Sequence, residues 1–158
     1  MSKVKAIPEG MHTITPHLVV DNAAEAIVFL QKAFGAEEMA RAEDDTGQKI
    51  FHAMLRIGDS MIFVNDAFPE RGSPTNRLKL WIYTEDVDAL YNRAVAAGAQ
   101  VGPGPMGQMQ DQFWGDRSGT VIDPFGYQWT IATHKEDLTP EEMKERQDAF
   151  MKSFAGAR

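Results

Sequence analysis

The chain has 158 residues, of which 43% are hydrophobic and 25% charged, a composition that is typical of a globular domain and not of a disordered chain. Its net charge of −7, without a basic run, argues against nucleic acid or an anionic membrane as a partner. The lack of cysteine excludes disulfides, thiolate zinc sites and cysteine nucleophiles. Residues 1–10 are polar and no apolar run is long enough to span a membrane, so we expect a flexible N-terminus and a cytoplasmic protein.

The first predicted unit spans residues 11–68 and contains one helix. A strand near 13–20 leads into the helix, which starts with the capping residues Asp21 and Asn22 and ends at Gly35. One face of the helix carries apolar residues at helical spacing: Ala26, Ile27, Leu30, Ala33 and Phe34. Three extended segments follow, near residues 36–43, 49–57 and 60–66, with Gly58-Asp59 as the turn of a hairpin. The predicted order is therefore βαβββ.

The second unit spans residues 78–134, after a turn-rich linker at 69–77, and repeats the first unit 63 residues further on. A strand near 78–83 precedes a helix that starts at Asp86 and ends at Gly98. The apolar stripe of this helix consists of Val87, Leu90, Tyr91, Ala94 and Val95. Shorter extended segments are predicted near residues 99–101, 119–123 and 127–133. Between the first two of these segments, residues 102–109 read as a flexible flap or as a plain surface loop.

Residues 135–158 form the predicted C-terminal helix and tail. Thr139, Pro140 and Glu142 have the spacing of a helix N-terminus, and the helix should run from about 140 to 154. A narrow stripe of Met143, Gln147, Phe150 and Phe154 lies along it. An apolar stripe is stable only when it packs against another surface, either on its own domain or on a partner subunit. We expect a homodimer.

Three segments carry a resemblance to a known family: TPHLVVDNAAEAIVFLQKAFGA (15–36), HAMLRIGDSMIFVND (52–66) and FWGDRSGTVIDPFGYQWTIATHKEDLTPEE (113–142). They resemble the vicinal oxygen chelate superfamily, which includes glyoxalases, bleomycin-resistance proteins and extradiol dioxygenases, and within it the PhnB-like branch. The turn Asp123-Pro-Phe-Gly126 is the most specific part. The resemblance implies an α+β fold of two βαβββ modules, whose curved mixed sheet encloses a cleft with helices on the convex side, plus a C-terminal helix.

Alternation along the strands predicts which side chains face the cleft. One face is apolar and should meet a helix: Phe51, Ala53, Leu55, Ile57, Ile62 and Val64, with Leu78, Leu80 and Ile82 in the second unit. The opposite face mixes polar and large apolar groups, as a ligand cleft does: His52, Met54, Arg56, Met61, Phe63 and Asn65, with Lys79, Trp81 and Tyr83 in the second unit.

The resemblance also implies four metal-ligand positions, two in each module, which match Thr15, Phe63, Lys79 and Thr130 here; His17 is an alternative to Thr15. A phenyl ring and an ammonium group cannot bind a divalent cation, and a lone hydroxyl is a poor ligand. We therefore expect neither a metal nor another cofactor, which puts the metal-dependent chemistry of the family in doubt.

Eight residues are predicted to bind a ligand: His17, His52, Phe63, Lys79, Trp81, Tyr83, Trp114 and Thr130. Trp81, Phe63 and His52 are expected to line one pocket, although a dimer interface or core is an alternative for the aromatic residues. His12 and His134 are interpreted as ordinary surface residues, and Asp116 and Arg117 as a pair.

The first functional hypothesis is a metal-free protein that binds a small molecule, similar to the bleomycin-resistance type, with an acidic surface that suits a cationic ligand. The second is an enzyme of the same superfamily, a glyoxalase- or dioxygenase-like lyase, oxidoreductase or transferase, with a non-standard site that uses His17 and His52. A third is a structural or regulatory dimer without a small ligand. The sequence leaves the ligand open, and also whether the protein is an enzyme.

Overall fold

The protein contains two mixed β-sheets. Its structure is a computed structural model that describes residues 4–156, without the side chains of residues 154 and 155. The expected flexible N-terminus and C-terminal tail include residues 1–3 and 157–158, which lie outside the described residues. The first sheet has the order β1-β4-β3-β2, formed by β1 (His17–Val20), β2 (Glu37–Glu43), β3 (Ile50–Ile57) and β4 (Ser60–Asp66). The second has the order β5-β9-β8-β6, with β7 beside β8, formed by β5 (Lys79–Tyr83), β6 (Gln100–Val101), β7 (Gln110–Asp111), β8 (Asp116–Ile122) and β9 (Gln128–His134).

Each sheet contains one parallel pair, β1 with β4 and β5 with β9, and the remaining pairs are antiparallel. Helix α1 (Ala23–Phe34) follows β1, helix α2 (Val87–Ala96) follows β5, and a 3₁₀ turn (Pro69–Arg71) lies in the linker. These two βαβββ-like units and the C-terminal helix α3 (Pro140–Gly156) confirm the predicted α+β fold. The second unit adds the short strand β7 to the predicted order.

Both helices begin at a residue of the predicted kind and α1 ends at the predicted glycine, whereas α2 ends at Ala96 with Ala97 as its C-cap, one residue before the predicted Gly98. The Asn22 side chain accepts a hydrogen bond from the Glu25 amide at 3.3 Å, and the Asp86 side chain accepts one from the Ala89 amide at 3.1 Å. Gly35 ends α1 in the left-handed conformation with φ of 67°, which glycine adopts without steric cost. The apolar stripe of α1 is buried as predicted. The predicted stripe of α2 wrongly included Val95, which is 38% exposed.

The predicted strand faces are confirmed for the inner strands, because Ala53, Leu55 and Val64 are fully buried under the helices. Phe51 is the exception, and the expectation that it meets a helix was wrong, because it is 54% exposed. An irregularity in the pairing of β2 with β3 explains the difference: Glu43 pairs with Ile50 and Ala42 with His52, so Phe51 is an extra residue. The bulge turns Ile50 towards the core and Phe51 outwards.

One core lies between the sheets and the two helices, and α1 contacts α2. The Arg93 guanidinium of α2 donates to the carbonyl oxygens of Lys32 at 2.7 Å and Gln31 at 3.2 Å. These carbonyls belong to the last turn of α1, where a cation is favoured by the helix dipole. The two units are therefore joined through their helices as well as through the core.

Asn76, in the linker, joins β1 to the second unit. Its side-chain oxygen accepts from the Val19 amide at 3.0 Å and from the Tyr127 hydroxyl at 2.6 Å. Its side-chain nitrogen donates to the His17 carbonyl at 2.8 Å, and the Tyr127 hydroxyl also reaches the Val19 carbonyl at 3.1 Å. These bonds satisfy backbone groups of β1 that face away from β4.

Helix α3 begins with the predicted capping box. The Thr139 amide donates to the Glu142 carboxylate at 2.9 Å, and the Glu142 amide donates to the Thr139 hydroxyl at 3.2 Å. The Phe150 ring contacts the Phe113 ring with centroids 4.9 Å apart, and most of the helix is exposed. Within residues 4–156, no helix is both long and apolar enough to cross a membrane.

Candidate functional site

The face of the first sheet opposite the helix-covered core holds a cavity of about 650 Å³. We name it the methionine cup, after four of its lining residues: Met11, Met39, Met54 and Met61. The other side chains that matter for binding in its wall are Phe63, His52, Arg56, Glu9 and Asp59. Met54 pairs with Phe63 across β3 and β4, and Arg56 pairs with Met61, so these side chains share one face of the hairpin. The segment Pro8 to Met11 forms another wall of the cup.

Two histidine rings contact Phe63. The His52 ring lies 4.7 Å from the Phe63 ring and the His17 ring 5.9 Å from it, both nearly edge-on. Strand β4 lies between β1 and β3, so Phe63 stands between the two histidines. His52 lines the cup, whereas His17 is exposed, does not line the cup and contacts the Asn65 side chain.

A second cavity, of about 450 Å³, lies between the β3–β4 turn and strand β5, which ends the second sheet. We name it the seam groove. Its floor is apolar and comes from both units: Phe34, Ile57, Ile62, Ile82, Leu90 and Trp129. Trp81 and Tyr83, which are 48% and 61% exposed, lie at its mouth.

The structure does not bring Trp81 together with His52 and Phe63 in one pocket. Trp81 lines the seam groove, and the two others line the cup. The β3–β4 hairpin lies between the cavities, because Ile57 and Ile62 on one face line the groove while Met61 on the other face lines the cup. Only Gly58 and Asp59, at the turn of the hairpin, line both.

The remaining predicted ligand-binding residues lie outside both cavities. Lys79 is exposed on β5. Thr130 is buried, and its hydroxyl lies 2.8 Å from the Thr120 hydroxyl. Trp114 stands beside Trp81, with ring centroids 6.3 Å apart, and its indole N–H donates to Asp116 at 3.0 Å.

Asp116 is the centre of a polar cluster that the sequence interpretation missed. Its carboxylate is 3% exposed and accepts from the Tyr83 hydroxyl at 2.9 Å as well as from Trp114. The imidazole of His134 lies 2.8 Å from the same carboxylate through Nδ1 and 2.9 Å from Asp137 through Nε2. Burial and the bond to Asp116 raise the pKa of Tyr83.

One expectation about this region was wrong, and another was incomplete. Asp116 does not pair with Arg117, because neighbouring residues of a strand face opposite sides. Arg117 instead binds Asp88 at 2.9 Å and Asp111 at 3.3 Å. His134 is exposed, as expected, but it is more than an ordinary surface residue, because both of its ring nitrogens contact carboxylates.

The stability of the protein is expected to fall as the pH rises past the pKa of His134. Hydrogen bonds to Asp137 and Asp116 raise this pKa, so the folded state binds the proton more tightly than the unfolded state. The contribution is complete below the ordinary histidine pKa of about 6.5 and disappears as the pH passes the raised value. Melting temperatures measured from about pH 5.5 to 9 should therefore decline more in the wild type than in His134→Gln. Parallel curves for the two proteins would contradict this expectation.

The residues at the family's metal positions do not fit a divalent cation. Phe63 lies in the first sheet, while Lys79 and Thr130 lie in the second. The register pairs Phe63 with His17, so His17 is the first-strand residue beside it. Among residues 4–156, no group of three or more histidine, aspartate or glutamate side chains is placed to hold a metal ion.

Residues 102–109 are tied to β8, which favours the plain-loop alternative over a mobile flap. The Gly102 amide donates to the Thr120 carbonyl at 2.8 Å, and the Thr120 amide donates to the Gly107 carbonyl at 3.0 Å. The Tyr91 hydroxyl also donates to Gly107, at 3.0 Å. A Cβ on Gly107 would lie 1.8 Å from the Gly102 carbonyl oxygen, so only glycine fits there.

Comparison with known proteins agrees with this architecture. The family model of the Glyoxalase/Bleomycin resistance protein/Dioxygenase superfamily matches residues 10–131. An uncharacterized protein of Mycobacterium bovis is 38% identical over 140 residues, which cover 83% of this chain and 89% of that protein.

Two solved structures share the fold. FosX, a fosfomycin resistance protein of Listeria monocytogenes solved with Mn(II) and sulfate, superposes with a TM-score of 0.55 at 22% identity, over 83% of this chain and 95% of FosX. A PhnB protein of Bacillus cereus superposes with a TM-score of 0.57 at 17% identity, over 77% of this chain and 99% of that protein. The chain therefore belongs to the glyoxalase/bleomycin resistance protein/dioxygenase superfamily, with PhnB-like proteins among its structural neighbours.

Proposed function

We propose that the protein binds a small, partly apolar molecule in the methionine cup without the help of a metal. The observation that supports this proposal most directly is the cup itself, a cavity of about 650 Å³ with thioether, phenyl and imidazole groups in its wall. Small-molecule sites in proteins commonly have this size and this mixture of apolar wall and few polar groups. Thioether side chains are flexible and polarisable, so the cup suits ligands of several shapes.

The polar groups of the cup restrict how such a ligand lies. His52 is held edge-on against Phe63, with ring centroids 4.7 Å apart, and its ring nitrogens are polar groups of the cup wall. Arg56 lies on the same face, and its guanidinium is already paired with Glu37 in an exposed ion pair of 2.5 Å. An aromatic ring on Phe63 with an acceptor towards His52 or Arg56 satisfies both kinds of group.

The fluorescent probe anilinonaphthalene sulfonate, which has an aromatic body and one anionic group, tests the cup. We expect it to bind, and Phe63→Ala to weaken binding by about 1–3 kcal/mol, since stacking and apolar contact are lost together. Phe51→Ala is the matched control, because Phe51 is a neighbouring phenylalanine that does not line the cup. Fluorescence titration measures both affinities. Equal affinities for the two variants would place the probe elsewhere.

The alternative function is an enzyme that holds a metal through His17 and His52, and the Mn(II) in FosX shows that this fold can hold one. Against it, the Phe63 ring separates the two imidazoles, and no third histidine or carboxylate completes a metal group with them within residues 4–156. We predict no stoichiometric metal after expression with added zinc, nickel and manganese. Elemental analysis decides, and about one ion per chain that is lost in His52→Ala would support the enzyme.

A further inference from the structure

The seam groove has the shape and lining of a ligand site that is separate from the methionine cup. Its floor reaches Phe34 and Trp129, which are 7% and 2% exposed and lie in the shared core. Its volume of about 450 Å³ falls within the usual range for small-molecule sites. The floor is apolar, so it offers no hydrogen-bond partner to a polar group and favours a hydrocarbon body.

The charge at the mouth of the groove is negative. Among the described lining residues, the titratable groups are Asp59 and Tyr83, and no lysine, arginine or histidine is present. The Tyr83 hydroxyl donates to Asp116, which leaves the Asp59 carboxylate at the turn as the charge that faces an incoming molecule. Trp81, half exposed at the same mouth, offers an aromatic face on which a cation is stabilised.

We propose that the seam groove binds a hydrophobic amine or quaternary ammonium compound. The apolar body lies between the two sheets, and the cation lies at the mouth, where Asp59 and Trp81 are. The net charge of −7 adds a long-range attraction for such a cation. This second site does not depend on the proposed function of the cup, because the hairpin β3–β4 lies between the two cavities and they share only Gly58 and Asp59 at its turn.

A second copy of the chain could instead cover the groove, since β5 is an edge strand. A strand paired with β5 would cover the mouth but would leave the floor at Phe34 and Trp129 unfilled. An alkyl chain fills both, which is why a small amphipathic molecule is the better fit. Probe titrations combined with light scattering separate the two occupants.

Decyltrimethylammonium and decanoate are the probes, used below the concentrations at which they form micelles. They have alkyl chains of the same class and opposite charge, so their comparison reports the charge preference of the mouth. Tryptophan fluorescence follows binding, because Trp81 and Trp129 line the groove, and calorimetry confirms the affinity. We expect the ammonium compound to bind more tightly, and Asp59→Asn to reduce that preference by up to about fivefold, as for an exposed ion pair.

Ser60→Trp tests the location. Ser60 is exposed, lies opposite Ile57 and lines the groove, so an indole there should block it and weaken ammonium binding at least tenfold. Thr13→Trp, at an exposed residue that lines neither cavity, is the control. Anilinonaphthalene sulfonate should still bind the cup of Ser60→Trp, and Phe63→Ala should still bind the ammonium compound.

Three results would overturn the proposal. The first is decanoate binding as tightly as the ammonium compound in both the wild type and Asp59→Asn. The second is unchanged ammonium affinity in Ser60→Trp. The third is a dimer in light scattering that Ser60→Trp converts to monomers while probe affinity stays constant, which would assign the groove to an interface between copies.

Discussion

Asp123→Ala is expected to lower the free energy of unfolding by about 3 kcal/mol, since it leaves buried donors without partners. One oxygen of the Asp123 carboxylate accepts from the Phe125 amide at 2.8 Å and the Tyr127 amide at 3.0 Å. The other accepts from the Trp129 indole N–H at 2.8 Å. Burial raises the pKa of Asp123, because it disfavours the charged carboxylate, and the hydrogen bonds oppose that rise. The cost of burying the carboxylate offsets part of the stabilisation by the bonds, so the expected loss in free energy of unfolding is smaller than the sum of three charged hydrogen bonds.

Asp123→Asn is the matched control for this prediction. Its amide oxygen can still accept from the two backbone amides, but its NH₂ group then faces the indole N–H of Trp129. We expect the free energy of unfolding of Asp123→Asn to lie between those of the wild type and the alanine variant. Urea unfolding followed by tryptophan fluorescence measures all three proteins. An alanine variant as stable as the wild type would show that the turn does not depend on this side chain.

The second large effect is expected at Leu55, compared with its neighbour Met54. Leu55 is fully buried under the helices, and Leu55→Ala should cost about 2–5 kcal/mol because it opens a cavity there. Met54 faces the open cup on the other side of the same strand, where solvent can fill the space, so Met54→Ala should cost about 1 kcal/mol or less.

Unfolding midpoints of the two variants test the face assignment of β3 without a ligand. If Met54→Ala proves the more destabilising change, β3 faces the other way and the methionine cup cannot be the binding site. The same Met54→Ala protein should remain folded at room temperature, which makes it usable in the probe titrations of the cup.

Local patterns in the sequence predicted the elements well, because helix stripes and strand alternation depend on neighbouring residues alone. Leu55 and Trp81 were assigned to the correct faces in this way. Phe51 was assigned wrongly, because the bulge beside it depends on how β3 pairs with β2. Alternation predicts which face of a regular strand a side chain occupies, but it does not predict where a bulge interrupts the pairing with the next strand.

The candidate site could be predicted only in part, because it depends on how the two sheets meet. Alternation predicted that Trp81, His52 and Phe63 face away from the helices. It could not predict that the β3–β4 hairpin lies between Trp81, which lines the groove, and the other two residues, which line the cup. The Asp116 cluster was missed for a related reason. The cluster consists of side chains from β5, β8, β9 and the segment after β9. No spacing pattern in the sequence predicts that these side chains are in contact.

The bonds of Asn76 and Tyr127 to β1 also bear on the order in which the protein folds during synthesis. The Val19 carbonyl accepts from a hydroxyl that lies 108 residues later in the chain. At the usual pace of translation, that partner emerges from the ribosome about 5–20 seconds after Val19 does. Throughout that interval the Val19 carbonyl of the nascent outer strand has at most one of its two native donors, the Asn76 amide at 3.1 Å, and this edge is where a newly made chain is open to chaperones and to mispairing.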